Sequence, residues 1–246
     1  LAVDVSNSML AQDFEPSRLE RTKFAIDRLT QQLEQDRIGL IVFAGDAYMQ
    51  LPITSDYVAA RSFAAQISPT MVSKQGTAIG AAIDLAASSF SSGSEGSRVI
   101  VVISDGENHE DDALAAAKAA AEKGIRIYTI GIGTPEGAPI SIDGEFIKDE
   151  QGDMVVSKLD EQMLEQIALT TGGAYIRATN RSLGLDEIVQ KINEVEKKEL
   201  TSTVFEDFNE QYQYLIGLAL ALLLLEFAML ERRSRLLARF NIFRKR

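Results

Sequence analysis

Apolar runs too short to be helices recur along the chain, separated by longer stretches of helical period, and this alternation restricts the fold more than any other feature. Ala2 to Val5, Ile38 to Ala44, Val99 to Ser104, Ile125 to Ile132 and Ala174 to Arg177 are short β-rich runs. Where they lack hydrophobic alternation they read as strands buried on both faces. Between them, Arg18 to Gln35 carries the apolar stripe Leu19, Phe24, Ile26, Leu29 and Leu33 after the start signal Pro16-Ser17. Asp56 is placed to cap a helix through Ile67, and further helices are expected over Thr77 to Phe90, Asp111 to Lys123, Lys158 to Thr171 and Leu183 to Lys198. Gly124 supplies the stop for the fourth of these. Strands alternating with helices build βα units around a largely parallel sheet, so the fold class is α/β. Pro139 to Val156 break the rhythm: Asp143-Gly144 and Gly152-Asp153 punctuate short segments in the manner of a β-hairpin insertion.

A second kind of segment closes the chain. Tyr214 to Leu230 is apolar but for Glu226, about 17 residues against the roughly 20 of a typical spanning helix. Tyr212 and Tyr214 stand where an interfacial aromatic belt would lie, and Arg232, Arg233, Arg235, Arg239, Arg244, Lys245 and Arg246 follow without an acid among them. A transmembrane helix over 212–230 is therefore expected, preceded by a linker over 201–211 and followed by a basic cytoplasmic tail over 231–246, which puts the body outside the cytoplasm. Glu226 is close enough to the inner end to snorkel or pair with Arg233. At the other end the chain opens abruptly at Leu1-Ala2-Val3-Asp4-Val5, which reads as a start within a strand.

Composition narrows the function. The 246 residues carry a formal charge of −11, and the basic tail makes the body more acidic still. Such a body repels phosphate backbones, so no nucleic-acid partner is expected. With no cysteine and a single histidine, His109, the chain offers neither thiolate nor multi-histidine metal sites.

The chemistry that remains is oxygen-based. Asp4, Ser6 and Ser8 leave the first strand as Asp-x-Ser-x-Ser, and alternate residues of an extended segment point the same way. They can converge at the carboxyl end of the strand, where open α/β sheets place ligands. Taken alone, Asp and Ser after a strand are more often turn or helix-cap residues than ligands. Thr77, in Gln75-Gly76-Thr77-Ala78-Ile79-Gly80, sits at a loop-to-helix junction where a plain N-cap is the simplest role. Asp105, in Ile103-Ser104-Asp105-Gly106, ends another buried strand. An all-oxygen set suits a hard cation, Mg2+ first, with Mn2+ or Ca2+ as alternatives. Glu107 and His109 could line the rim of such a site or be plain loop residues, and Glu110-Asp111-Asp112 reads as a helix start favoured by the helix dipole.

In full and in order, Asp4-x-Ser6-x-Ser8, Thr77 and Asp105 resemble the metal-ion-dependent adhesion site of von Willebrand factor A domains. The resemblance implies a Rossmann-like doubly wound sheet with one antiparallel edge strand, in which Ile38 to Ala44 pairs with Ala47 to Pro52. It also implies that the serines and threonine ligate the cation, that the aspartates act largely through waters, and that a partner protein supplies a carboxylate. A divalent ion held mainly by neutral hydroxyls keeps positive charge for such an external acid. Arg18-Leu19-Glu20-Arg21, Asp36-Arg37-Ile38-Gly39-Leu40, Phe43-Ala44-Gly45-Asp46 and Asp105-Gly106-Glu107-Asn108-His109 are similar to the Bat (Bacteroides aerotolerance) proteins. That similarity implies an inner-membrane protein with a periplasmic A domain over 1–200, acidic envelope or membrane partners of the same system, and a part in aerotolerance or envelope stress.

Two other readings compete. A Mg2+-dependent phosphoryl-transfer enzyme also places Asp after a parallel strand, but dehalogenase-like phosphatases need Asp-x-Asp, and Ser6 stands at the second acidic position. No catalytic residue is therefore assigned. A scaffold whose ion only stiffens three loops is compatible with every residue named.

Overall fold

The computed structural model describes residues 1–33, 36–91, 97–108, 110–142, 144–149, 151–179, 182–194 and 212–231. They fall into two units, Leu1–Glu194 and Val195–Arg246.

In the first unit the strands β1 (Ala2–Asp4), β2 (Ile38–Phe43), β3 (Ala47–Thr54), β4 (Val99–Ser104), β5 (Arg126–Gly131) and β10 (Tyr175–Arg177) form one sheet in the order β10-β5-β4-β1-β2-β3. All neighbours are parallel except β2 and β3, which close one edge as an antiparallel pair. Each predicted strand is present, Val99–Ser104 to the residue and the others trimmed by one residue at one or both ends. The order reverses at β1: the chain first builds outward through β2 and β3, then returns to lay β4 on the other flank of β1. That reversal opens a crevice at the carboxyl ends of β1 and β4, the usual ligand position in such sheets.

Both faces of the sheet are covered, which is why the strands lack alternation. Val3, Leu40, Val42, Val101, Ile103, Tyr128 and Ile130 point to one side, against Ile26 and Leu29 of α1 (Arg18–Thr30), Ala60 and Ala64 of α2 (Tyr57–Ala65), and Leu185 and Ile188 of a helix over 185–194, α6. Ala2, Ile41, Phe43, Ile100, Val102 and Ile127 point to the other, against α3 (Ile79–Ser89), α4 (Ala113–Glu122) and α5 (Glu161–Thr170). Small residues let these helices approach closely: the buried positions of α4 are all alanine.

Helix starts follow local rules. Ser17 Oγ accepts from Glu20 N, and Asp56, Asp112 and Asp160 each accept from the backbone N–H three residues on. Gly124, with φ +69°, ends α4 with its N–H on Ala121 O and Ile125 N on Ala120 O. Two readings are corrected here. The first helix ends at Thr30 rather than Gln35, residues 34 and 35 lying outside the described set, and Phe24 is exposed rather than part of the core stripe. Phe24 instead lines a cavity of about 200 Å³ with Arg21, Arg28, Leu183 and Asp186, beside the Arg28–Asp186 ion pair.

The insertion is more elaborate than one hairpin. β6 (Ala138–Pro139) pairs with β9 (Val156–Ser157), β7 (Ser141–Ile142) with β8 (Glu145–Phe146), and Lys148 bridges Met154. The three arms meet where Ile140 N donates to Val155 O, Val155 N to Ile147 O and Ile147 N to Ile140 O. This closed ring satisfies backbone groups that a single hairpin would leave to solvent.

In the second unit Tyr212–Glu231 is helical, α7, and its exposed side chains include Leu215, Leu218, Leu220 and Leu222 through Leu225. Among the described residues no helix is long and apolar enough to cross a membrane; the described side chains of α7, 214–226, span about 20 Å. The expected linker, the last turns of the helix drawn to Lys198, and the basic tail lie outside the described residues.

One glycine shapes the crevice. Gly106 follows Asp105 with φ +82°, and a Cβ there would sit 2.3 Å from the Asp160 carbonyl oxygen. Gly106→Ala is expected to destabilise the protein by about 2–4 kcal/mol through a left-handed backbone and a backbone clash, measured as a drop in the urea midpoint at unchanged slope.

Candidate metal centre

Asp4 and Asp105 come together because β1 and β4 are adjacent and in parallel register, Val3 facing Ile103. Both carboxylates are fully buried. Ser104 Oγ donates to Asp4 Oδ2 at 2.7 Å, Ser6 N donates to Asp4 Oδ1 at 2.8 Å, and Gly106 N donates to Ser104 Oγ at 3.0 Å. The chain leaving β1 then turns into a short 3-10 segment, Asn7–Leu10, which brings Ser8 back beside Ser6 with their Oγ atoms 2.8 Å apart. Cis ligands on a six-coordinate ion at about 2.1 Å are about 3.0 Å apart, so the two hydroxyls are spaced to share one small cation in place of the hydrogen bond between them.

Thr77 is buried on a separate loop. Ala78 N donates to Ala44 O at 2.7 Å and Gly45 N to Lys74 O at 3.0 Å, fastening its loop to the end of β2. Asn7 N donates to Gln75 Oε1, tying the same loop to the segment that carries Ser6 and Ser8. Thr77 is buried but is not the N-cap of α3; that place falls to Ala78, which caps nothing. The start of α3 is capped from another loop instead: Asn108 Oδ1 accepts from Ile79 N, and Asp111 accepts from Gly80 N and Ala81 N. Of the acidic triplet, then, Asp112 starts α4 as expected while Asp111 serves α3, joining the loop after Asp105 to the helix after Thr77. Glu107 accepts from Lys158 N, and His109 lies outside the described residues. Among the described residues no three His, Cys, Asp or Glu side chains form a metal-binding group, so any cation here depends on the hydroxyls.

The electrostatics are unusual for a closed interior. Burial first, and the neighbouring Asp105 second, push the Asp4 carboxyl up to about 7 against the lowering hydrogen bonds from Ser6 and Ser104. The nearest positive charge belongs to Arg18, a fully buried guanidinium that sequence reasoning used only as part of a similarity motif. Its Nε and Nη2 donate to the two oxygens of Asp13 at 2.8 Å each, and its Nη1 donates to Asp105 Oδ2 at 3.0 Å and Ser157 Oγ at 2.8 Å. Burial alone would raise Asp13, but Arg18 and the Thr134 donors hold it below the usual carboxylate range. Removing one member of such a buried pair typically costs about 3–5 kcal/mol. A signal for Arg18 was present: cations are disfavoured in the first turn of a helix, and here one stands at the first position.

The von Willebrand factor type A domain family model matches residues 1–191. An aerotolerance-related membrane protein from Bacteroides fragilis is 52% identical, with a TM-score of 0.75 over 78% of this chain and 96% of that one. BatB from Bacteroides thetaiotaomicron is 52% identical, with a TM-score of 0.76 over 80% and 97%. An uncharacterized protein from Borreliella burgdorferi is 30% identical over 92% of this chain and 67% of its own length. Proximal thread matrix protein 1 of the mussel byssus, with a zinc-occupied MIDAS motif, shares the fold at 16% identity and a TM-score of 0.57, over 79% of this chain and 44% of that one. These similarities support the likeness to the Bat proteins drawn from the sequence motifs, and the chain belongs to the von Willebrand factor type A domain family.

Proposed function

We propose that this chain is a membrane-anchored recognition module in which Ser6, Ser8 and Thr77 bind one divalent cation, Mg2+ first, with Asp4 and Asp105 behind them. The observation that carries the reading is a pair of buried carboxylates beside two hydroxyls 2.8 Å apart. The hydrogen bonds reaching Asp4 come from neutral groups, and Arg18 is shared with Asp13, so the pair retains negative charge that a dication would neutralise. Hydroxyl ligands leave the bound ion electron-poor, and an Asp or Glu from a partner protein completes its shell. The ion would supply Lewis acidity and charge; the chain supplies orientation and desolvation. Recognition rather than catalysis is favoured because Ser6 stands where a phosphatase would place its general acid.

The anchor is the helix Tyr212–Glu231. Its described side chains, 214–226, cover about 20 Å against the roughly 30 Å of a bilayer core, so the span is proposed on the apolar run Tyr214 to Leu230 of the sequence. The side chains of 214–226 are apolar but for Glu226, as suits a nonaqueous environment, and the Bacteroides fragilis relative is described as a membrane protein. With the basic tail in the cytoplasm, the A domain faces the periplasm of a bacterial inner membrane, and its partners are acidic-ligand proteins of the same Bat system acting in aerotolerance.

Isothermal titration of Mg2+ and Mn2+ into the unit Leu1–Glu194 tests the site. One saturable site per chain is expected, lost in Asp4→Ala/Ser6→Ala of confirmed fold; a parent that binds neither ion refutes the reading.

The raised Asp4 pKa sets a pH signature for the metal-free protein. Its folded value, about 7, lies above the 3.8 of an ordinary Asp carboxyl, so the folded state holds the proton more tightly and Asp4 costs stability as pH rises from about 4 to about 7. In chelator, Asp4→Asn should therefore gain on the parent across that window by on the order of 1 kcal/mol or more. Urea unfolding at pH 4.5 and 7.5 checks the sign, and added Mg2+ should favour the parent most at the higher pH.

A further inference from the structure

Arg18 and Ser157 lie outside the set that the sequence motif marks, yet their polar atoms converge on one of its members. Asp105 Oδ2 accepts from Arg18 Nη1 at 3.0 Å and from Ser157 Oγ at 2.9 Å, while Arg18 Nη1 also donates to Ser157 Oγ at 2.8 Å. Asp105 Oδ1, by contrast, accepts among the described residues one long bond, from Glu107 N at 3.3 Å. The carboxylate is gripped by one oxygen and left with spare capacity on the other. Side chain and backbone of Ser157 are both used, since its carbonyl accepts from Arg18 Nη2 at 3.2 Å. The guanidinium is fixed in turn: Asp13 holds its far edge with both oxygens, and the Gly133 backbone lies against it so closely that a Cβ there would sit 3.0 Å from Cζ.

Ser157 is the last residue of β9 and therefore part of the three-armed insertion. Next to it, Lys158 N donates to Glu107 Oε1, and Asp160 N donates to Asp105 O at 2.8 Å. The insertion is thus fastened to the loop that carries Asp105 by side chain and by backbone.

We propose that Arg18 and Ser157 are positioning residues of the cation site, orienting Asp105 through Oδ2, and that through Ser157 the insertion over 138–157 is a working part of that site. The inference rests on the cation reading proposed above. Groups that hydrogen-bond a metal-site carboxylate from behind fix its orientation, and losing one typically costs about 10–100-fold in metal affinity. A cation drawing charge toward Oδ1 alters the acceptor strength of Oδ2, so loading of the site reaches β9 through Ser157.

Substitution of Arg18 risks unfolding the domain, so the test uses Ser157. Mn2+ is titrated into the full chain in detergent for the parent, Ser157→Ala and Ser157→Thr, and amide hydrogen exchange in the insertion is followed with and without Mn2+. Ser157→Ala is expected to stay folded with a melting temperature lowered by several degrees through its lost bonds to Arg18 and Asp105 and to bind about tenfold more weakly, with Ser157→Thr restoring affinity because it restores the hydroxyl. The ring amides of Ile140, Ile147 and Val155 should exchange more slowly with Mn2+ in the parent and the threonine variant but not in the alanine variant. Equal affinities for parent and Ser157→Ala, or exchange in the insertion that ignores the ion, would overturn this inference while leaving the cation site standing. A parent that binds no Mn2+ would remove the cation reading itself, and this inference with it.

Discussion

Parallel pairing of β4 with β1, after the chain has already built outward through β2 and β3, is the arrangement on which the rest of the site depends. It sets Asp4 beside Ser104 in the sheet interior and puts Asp105 one residue further on, at the point where strand order reverses. Two carboxylates buried so close would be costly if nothing compensated them. The chain meets that cost with hydroxyl and amide donors on Asp4 and a shared guanidinium on Asp105. Those donors leave negative charge in place, and the remaining demand is what makes a divalent ion a natural occupant.

The loops around the crevice are tied to one another and to the start of α3. The segment of Ser6 and Ser8 is joined to the Thr77 loop through Gln75, the Thr77 loop to the end of β2 through Ala44, and the start of α3 to the Asp105 loop through Asn108 and Asp111. A change at one of these candidate residues therefore has a bonded route to the loops that carry the others. The insertion joins this set through Ser157, which distinguishes it from a surface excursion that merely lengthens a loop.

Much of the frame was legible in the sequence because strands buried on both faces leave continuous apolar runs, and Val99 to Ser104 emerged to the residue. The five candidate ligands were legible because short oxygen-bearing side chains recurred at strand ends and a loop-helix junction. Three things were hidden for physical reasons. Phe24 fits a helical stripe by spacing alone, and spacing cannot tell a core position from the lip of a cavity. Thr77 looks like a cap because the residues that cap α3, Asn108 and Asp111, lie about thirty positions away. Ser157 bonds Asp105 across 52 positions and Arg18 across 139, separations at which a single sequence carries no pairing information. Arg18 alone left a trace, as a cation at the wrong end of a helix.

The arrangement is tested most directly by a crystal structure of the unit Leu1–Glu194 grown with Mn2+ and measured on the long-wavelength side and at the peak of the manganese edge. One anomalous peak is predicted at the carboxyl ends of β1 and β4, within coordination distance of Ser6 Oγ, Ser8 Oγ and Thr77 Oγ1, with Asp105 still held by Arg18 and Ser157. Manganese absent from that crevice at saturating concentration, or bound only on surface carboxylates, would contradict the assignment.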